Sequence, residues 1–155
     1  MRICAIFVAP EAGAPMEERE MVSVIAGHGI DGDRYAKGIG AFSKKKPEVR
    51  DLSLISAEAL LRVNEGRPDP FLPTDTRRNL LVSVSPETLN SLVGVEFTIG
   101  SIRVLGMELC TPCKRPSMLS GKEGFDTAFA DTGGLRVQVL DDGILSKNDH
   151  IFLAA

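Results

Sequence analysis

Short apolar runs recur along the chain between turn-forming residues, and few extend far enough for a long helix. "MRICAIFV" and "EMVSVI" predict two strands. "DLSLIS" predicts a strand running into a helix, with Ser56 as N-cap, Glu58 in the first turn and Gly66 as terminator. The helical period puts Ala57, Leu60 and Leu61 on the buried face of that helix. "RRNLLVSV" predicts a strand, and "SPETLNSLVG" a short helix with Ser85 as cap, Pro86 at its first position and Gly94 closing it. "VEFTIG" and "IRVLGMEL" flank Gly100-Ser101, which suits a hairpin turn with positive φ at the glycine. A helix around "GFDTAFAD", a strand in "GGLRVQVL", a turn at Asp142-Gly143 and a last strand "HIFLA" complete the series.

Two segments break the pattern. "AGHGIDGDRYAKGIGAFSKKKPEVRD" carries five glycines in twenty-six residues and no hydrophobic period, so it predicts a long functional or mobile loop, with "SKKKPE" as a solvated tip. "RPDPFLPTD" has three prolines and predicts irregular chain. About eight strands with two or three helices point to one domain over 1–155. Its class is mostly β with short helices (α+β), built as a closed or nearly closed β-barrel. Strand-helix alternation is not sustained, which disfavours a doubly wound α/β sheet.

Composition narrows the function classes. The chain has 155 residues, 43% hydrophobic and 25% charged, with a net charge of -3, so no broad nucleic-acid surface is expected. Any anion site must be built locally from converging arginines and lysines. No apolar run reaches membrane-span length, and "MRICAIFVAPEAG" reads as a first strand rather than a signal peptide. Three cysteines, Cys4, Cys110 and Cys113, are too few for a disulfide framework, and a cytoplasmic, reducing location is the expectation.

"LCTPCKRPS" concentrates the candidate chemistry. A structural zinc site needs four ligands, and Cys4, His28 and His150 offer no paired spacing to complete one. A dithiol redox pair fits the Cys-x-Pro-Cys spacing but lacks a visible βαβ unit around it. Two buried packing thiols at a strand end are the structural alternative. Pro112 favours a turn that presents Cys113, and Lys114 with Arg115 would favour its thiolate. Cys113 is thus the candidate for chemistry, and Cys110 the packing or supporting thiol.

Other polar clusters read ambiguously by themselves. In "HGIDGDRYAKG", Asp31 and Asp33 would hydrogen-bond nearby amides, while Arg34 and backbone amides could approach an anion. Arg77 and Arg78 are a natural phosphate fork with Asn79 beside them. As neighbours in a strand they would point to opposite faces, so both reach one pocket only if the backbone there is irregular. Arg136 in "GGLRVQVL" is a lone strand arginine, outward by default. His28 and His150 receive no role.

In order along the chain, "HGIDGDRYA", "LSLISAEAL", "RRNLLVS", "LNSLVGVEFTIGSIRVLGMELCTPC" and "GGLRVQVLDDGIL" closely resemble the MOSC family, named for the C-terminal domain of molybdenum cofactor sulfurases. The resemblance runs from about His28 to the C-terminus. It implies a β-barrel with accessory helices and a cysteine that either carries sulfur as a persulfide or ligates molybdenum in a bound pterin cofactor. Here that cysteine is Cys113, with Cys110 as a second. Arg34, Arg77, Arg78, Asn79 and Arg136 become candidates for the pocket wall and the pterin phosphate. "SKNDH" stands where such domains often turn on glycine-aspartate, and Asn148 tolerates the left-handed backbone required.

No cysteine desulfurase module is visible, nor a lysine motif that would hold pyridoxal phosphate covalently. Sulfur is then expected from a partner such as a pyridoxal-phosphate-dependent cysteine desulfurase. In the molybdenum version an electron-donor protein takes that place, and reduction of N-hydroxylated or N-oxide substrates is the implied activity. A dithiol oxidoreductase using Cys110 and Cys113 and a non-catalytic cofactor- or partner-binding domain are the rival classes. Oligomeric state is not legible.

Overall fold

The computed structural model describes residues 1–44 and 49–153. Part of the "SKKKPE" tip, 45–48, lies outside the described residues. The main sheet has eight strands in the order β11-β7-β8-β9-β5-β6-β1-β2. These are β1 (Ile3–Val8), β2 (Glu17–Arg19), β5 (Leu52–Ser56), β6 (Leu80–Val82), β7 (Glu96–Ile99), β8 (Ile102–Leu109), β9 (Leu135–Val139) and β11 (Ile151–Leu153). A second sheet, β10-β3-β4, joins β3 (Met21–Ile25), β4 (Gly29–Ile30) and β10 (Gly143–Ser146). Every pairing is antiparallel except β5 with β6, whose crossover carries α1 (Ala57–Asn64) and a 3₁₀ turn at Pro73–Thr76. The remaining helices are α2 (Pro86–Asn90), α3 (Arg115–Ser120) and α4 (Phe125–Ala128). Among the described residues no helix is long and apolar enough to cross a membrane.

The main sheet curls into a half-barrel and does not close fully, which corrects the closed reading. The reason lies in β1. Its outer edge is taken over Ile6–Val8 by β2, leaving only its first residues for β11. One antiparallel bridge, Arg2 with His150, ties the two ends, and the Ile3 N–H donates to the Asp149 carbonyl at 2.9 Å. Asn148 takes the left-handed turn before this seam, at φ 74°, as its side chain allows.

Alternation fills the concave face with Ile6, Leu54, Leu80, Val104 and Val137, each fully buried. The opposite face of β5 presents Ile55 to Leu60, Phe71, Phe125 and Phe129. Phe71 meets the other two rings edge-on at 5.6 and 5.8 Å, a favoured aromatic geometry. Helix α1 is capped as expected, Ser56 Oγ accepting from the Ala59 N–H at 3.1 Å. Its buried stripe is rotated, however. Leu60 and half-buried Val63 face the phenylalanine cluster, Ala59 is buried, and Leu61 is 74% exposed. Helix α2 starts at Pro86 but ends at Asn90, short of Gly94, and "RRNLLVSV" is a strand only from Leu80. The pattern gave no sign of β2, β4, β10 or α3.

Two residues invite tests of this framework. Gly106 sits in β8 where a Cβ would overlap the Leu92 carbonyl oxygen. Gly106→Ala is expected to lower unfolding free energy by about 2–3 kcal/mol, read as a shifted urea midpoint with an unchanged slope. Asp51, 8% exposed, accepts from the Val139 N–H at 3.0 Å, and burial raises its carboxyl above the ordinary range despite that bond. The folded state therefore holds this proton more tightly than the unfolded chain. The residue contributes most below the unfolded pKa and loses that contribution as pH rises through the raised folded one. Thermal midpoints of Asp51→Asn compared with the parent across mildly acid pH should show a flatter slope in the variant.

Candidate functional site

Several strand ends meet at one rim of the half-barrel, and a cavity of about 230 Å³ opens there. Six arginines line it: Arg34, Arg50, Arg77, Arg78, Arg115 and Arg136, with Cys110 and Cys113 on the same wall. The fold delivers each by a separate local device.

The segment "GDRY" follows β4. Asp33, fully buried, accepts from the Ala9 N–H at 3.0 Å and the Tyr35 N–H at 3.2 Å, as the turn reading expected. It also pairs with Arg34 Nη1 at 2.9 Å. Arg34 is only 5% exposed, and its Nη2 donates to the Arg77 carbonyl at 3.2 Å. Arg34 therefore lines the cavity with its charge already matched by a carboxylate, and it positions Arg77.

Arg77 ends the 3₁₀ turn in the left-handed region, at φ 62°. That irregularity is the condition the sequence set for the arginine pair, and both Arg77 and Arg78 reach the cavity. Arg77 Nη1 donates to the Ala14 carbonyl at 2.6 Å and Arg78 Nε to the Gly133 carbonyl at 2.8 Å. Burial, together with the Arg34 and Arg115 cations, pushes Arg77 down to about 10. Among the described residues Arg77, Arg78 and Arg115 form no salt bridge with a carboxylate. Three guanidinium groups held by carbonyls or left to solvent make a site that favours an anion.

Asn79 borders the same cavity but is occupied elsewhere. Its Oδ1 accepts from the Ser53 N–H at 3.1 Å, and its Nδ2 donates to the Phe7 carbonyl at 3.1 Å. At 2% exposure it stitches β1, β5 and β6 together at the rim. Arg136 lies opposite Ser53 of β5 and Glu108 of β8 in register, so the three side chains share a face. Arg136 pairs with Glu108, and it points into the cavity rather than outward.

The thiols sit on the turn after β8. Cys110 is 5% exposed and its N–H donates to the Gly134 carbonyl at 2.8 Å, while Cys113 is exposed. Gly133 presses against this turn. A Cβ there would overlap the Cys110 carbonyl oxygen and stand 3.1 Å from Pro112 Cδ. Lys114 is exposed and does not line the cavity, whereas Arg115 does. Cys4 lies at the irregularity of β1, away from the site. Among the described residues no three His, Cys, Asp or Glu side chains converge as a metal cluster.

A family model for the MOSC domain matches residues 41–152. The chain belongs to the MOSC domain family. This MOSC domain comes from a family associated with molybdenum-cofactor proteins. The matched span holds Arg50, Arg77, Arg78, both cavity cysteines and Arg136, and leaves Arg34 and Tyr35 outside. The fold is shared with the YuaD protein from Bacillus subtilis, 20% identical, with a TM-score of 0.79 over 97% of this chain and 93% of that one. YiiM from Geobacillus stearothermophilus is 15% identical, with a TM-score of 0.72 over 99% of this chain and 75% of that one. YiiM from Escherichia coli is also 15% identical, at 0.69 over 100% and 70%. No curated protein matches the chain.

Sequence reasoning overlooked Arg50, Tyr35 and Phe42, and saw Arg115 only as a neighbour of the thiol. Arg50 stands two residues before β5, which was the available signal. Burial and the Arg136 cation lower its guanidinium. The differing exposure of the thiols is directly measurable. In the native protein a maleimide should label Cys113 within minutes, with Cys110 protected until denaturant is added; peptide mapping reads the order.

Proposed function

We propose that this MOSC domain binds the phosphate-bearing pterin of a molybdenum cofactor in the arginine-walled cavity, with Cys113 at its rim as the sulfur that meets the metal. The observation that carries this reading is one accessible thiol sharing a cavity with six guanidinium groups. The donor set fits the group. Arg77, Arg78 and Arg115 suit a phosphate monoester, and a thiolate is the soft donor that a transition metal accepts. With no cluster of protein ligands among the described residues, a metal here would depend on its own organic ligand plus one sulfur.

When bound, such a cofactor supplies two-electron oxygen-atom transfer, which suits reduction of N-hydroxylated or N-oxide substrates. The chain contributes position and charge. Arg34 and Asp33 hold Arg77 in place, Gly133 and Gly134 seat the cysteine turn, and Arg77, Arg78 and Arg115 would hold the phosphate of such a cofactor. Reducing equivalents come from an electron-donor protein.

The exposure of Cys113 favours a second reading, sulfur carriage. Its thiolate attacks the terminal sulfur of a desulfurase persulfide, forming the Cys113 persulfide and releasing the desulfurase thiolate, so atoms and charge balance.

Protein produced in a host that makes molybdenum cofactor decides between them. Stoichiometric molybdenum with an oxidised fluorescent pterin supports the first reading. Arg78→Gln and Arg115→Gln should then each reduce pterin recovery about tenfold, and Cys113→Ser should keep pterin while losing activity. A one-sulfur mass gain on Cys113 after incubation with a charged desulfurase, without metal, supports the second. A protein that shows neither sinks both.

A further inference from the structure

The cavity's cations fall into two groups that meet at Tyr35. At one end Arg77 and Arg115 gather beside the Gly13-Ala14 turn, with Arg115 Nη2 lying 3.4 Å from where a Cβ on Gly13 would stand. At the other end the Arg50 guanidinium lies over the Phe42 ring at 5.1 Å and against Tyr35 at 6.0 Å. Arg136 enters the same end from β9, beside its partner Glu108. Arg34 stacks on Tyr35 at 4.7 Å, so one phenol ring touches guanidinium groups of both ends. Gly40 fixes that ring, since a Cβ there would overlap its edge carbons.

The two ends select different chemistry. Guanidinium groups around a turn of backbone match a tetrahedral phosphate. A guanidinium stacked on aromatic rings presents its N–H edge beside a flat apolar face, which suits a planar anion attached to a ring. Burial and the Arg136 cation both lower the Arg50 guanidinium.

We propose that Phe42, Tyr35, Arg50 and Arg136 form a second subsite, separate from the phosphate end, for the carboxylate of an aromatic substrate. It rests on the reading of the cavity as a ligand site and names the substrate class for it. The ring lies against Phe42 and Tyr35, the carboxylate meets Arg50 and Arg136, and the reactive part of the substrate shares the compartment of the two thiols.

Thermal unfolding and calorimetric titration with benzoate, benzamide and inorganic phosphate test this. Benzoate should stabilise the protein, benzamide (the same ring without the charge) should not, and phosphate should add to benzoate rather than displace it. Arg50→Gln and Phe42→Ala should each weaken benzoate about tenfold and leave phosphate unchanged, with Arg115→Gln doing the reverse. Equal binding of benzamide, displacement of benzoate by phosphate, or an Arg50→Gln protein that binds benzoate unchanged overturns the second subsite. A protein that responds to benzoate but not to phosphate upholds the subsite and removes the support for a phosphate-anchored cofactor.

Discussion

Two missing side chains hold the site together. Gly133 and Gly134 let the start of β9 pass between Leu54 of β5 and the turn after β8, so closely that a Cβ on either glycine would overlap a carbonyl oxygen. Through that gap run two hydrogen bonds and one packing contact that shape the cavity. Cys110 donates to Gly134, Arg78 donates to Gly133, and Pro112 packs on the same backbone. The thiol turn, one arginine of the phosphate end and the strand bearing Arg136 are thus registered against one another through the backbone of these two glycines. The Cys110–Gly134 bond has no rotamers to lose, so the thiol turn is fixed before any ligand arrives.

Charge is then added to a rigid frame. The buried Asp33–Arg34 pair is costly to desolvate and contributes placement more than stability. Its effect is to hold the carbonyl of Arg77 and, through the Ala9 N–H, the end of β1. Asn79 does comparable work with an amide, closing the gap where β1, β5 and β6 splay at the rim. These paired groups thereby form the scaffold, and Arg77, Arg78 and Arg115 are presented to an anion at the phosphate end.

What the sequence disclosed depended on how local each signal was. Ser56, Ser85, Gly100 and Asn148 act within a few residues of themselves, and their caps and turns were legible. So was the thiol turn, because Pro112 sits inside it. Whether the barrel closes fully was left open, because it depends on which partner occupies the free edge of β1, a contact across 148 positions between Arg2 and His150. Leu61 was misplaced because the helix rotates towards Phe71, Phe125 and Phe129, which arrive from distant segments. Asn79 reads as a ligand beside two arginines, and only the strand pairing reveals that its amide is already used. Arg50 and Phe42 lay in a stretch with no period to interpret, so tertiary placement alone gives them meaning.

Arg77 adopts a backbone conformation that a residue with a Cβ ordinarily avoids, at a cost of about 1–2 kcal/mol. Glycine would be comfortable there and would also erase the guanidinium. Heat tolerance and ligand affinity therefore pull this codon in opposite directions. A lineage screened for robustness alone would drift towards glycine at 77 and lose its grip on anions while its fold improved.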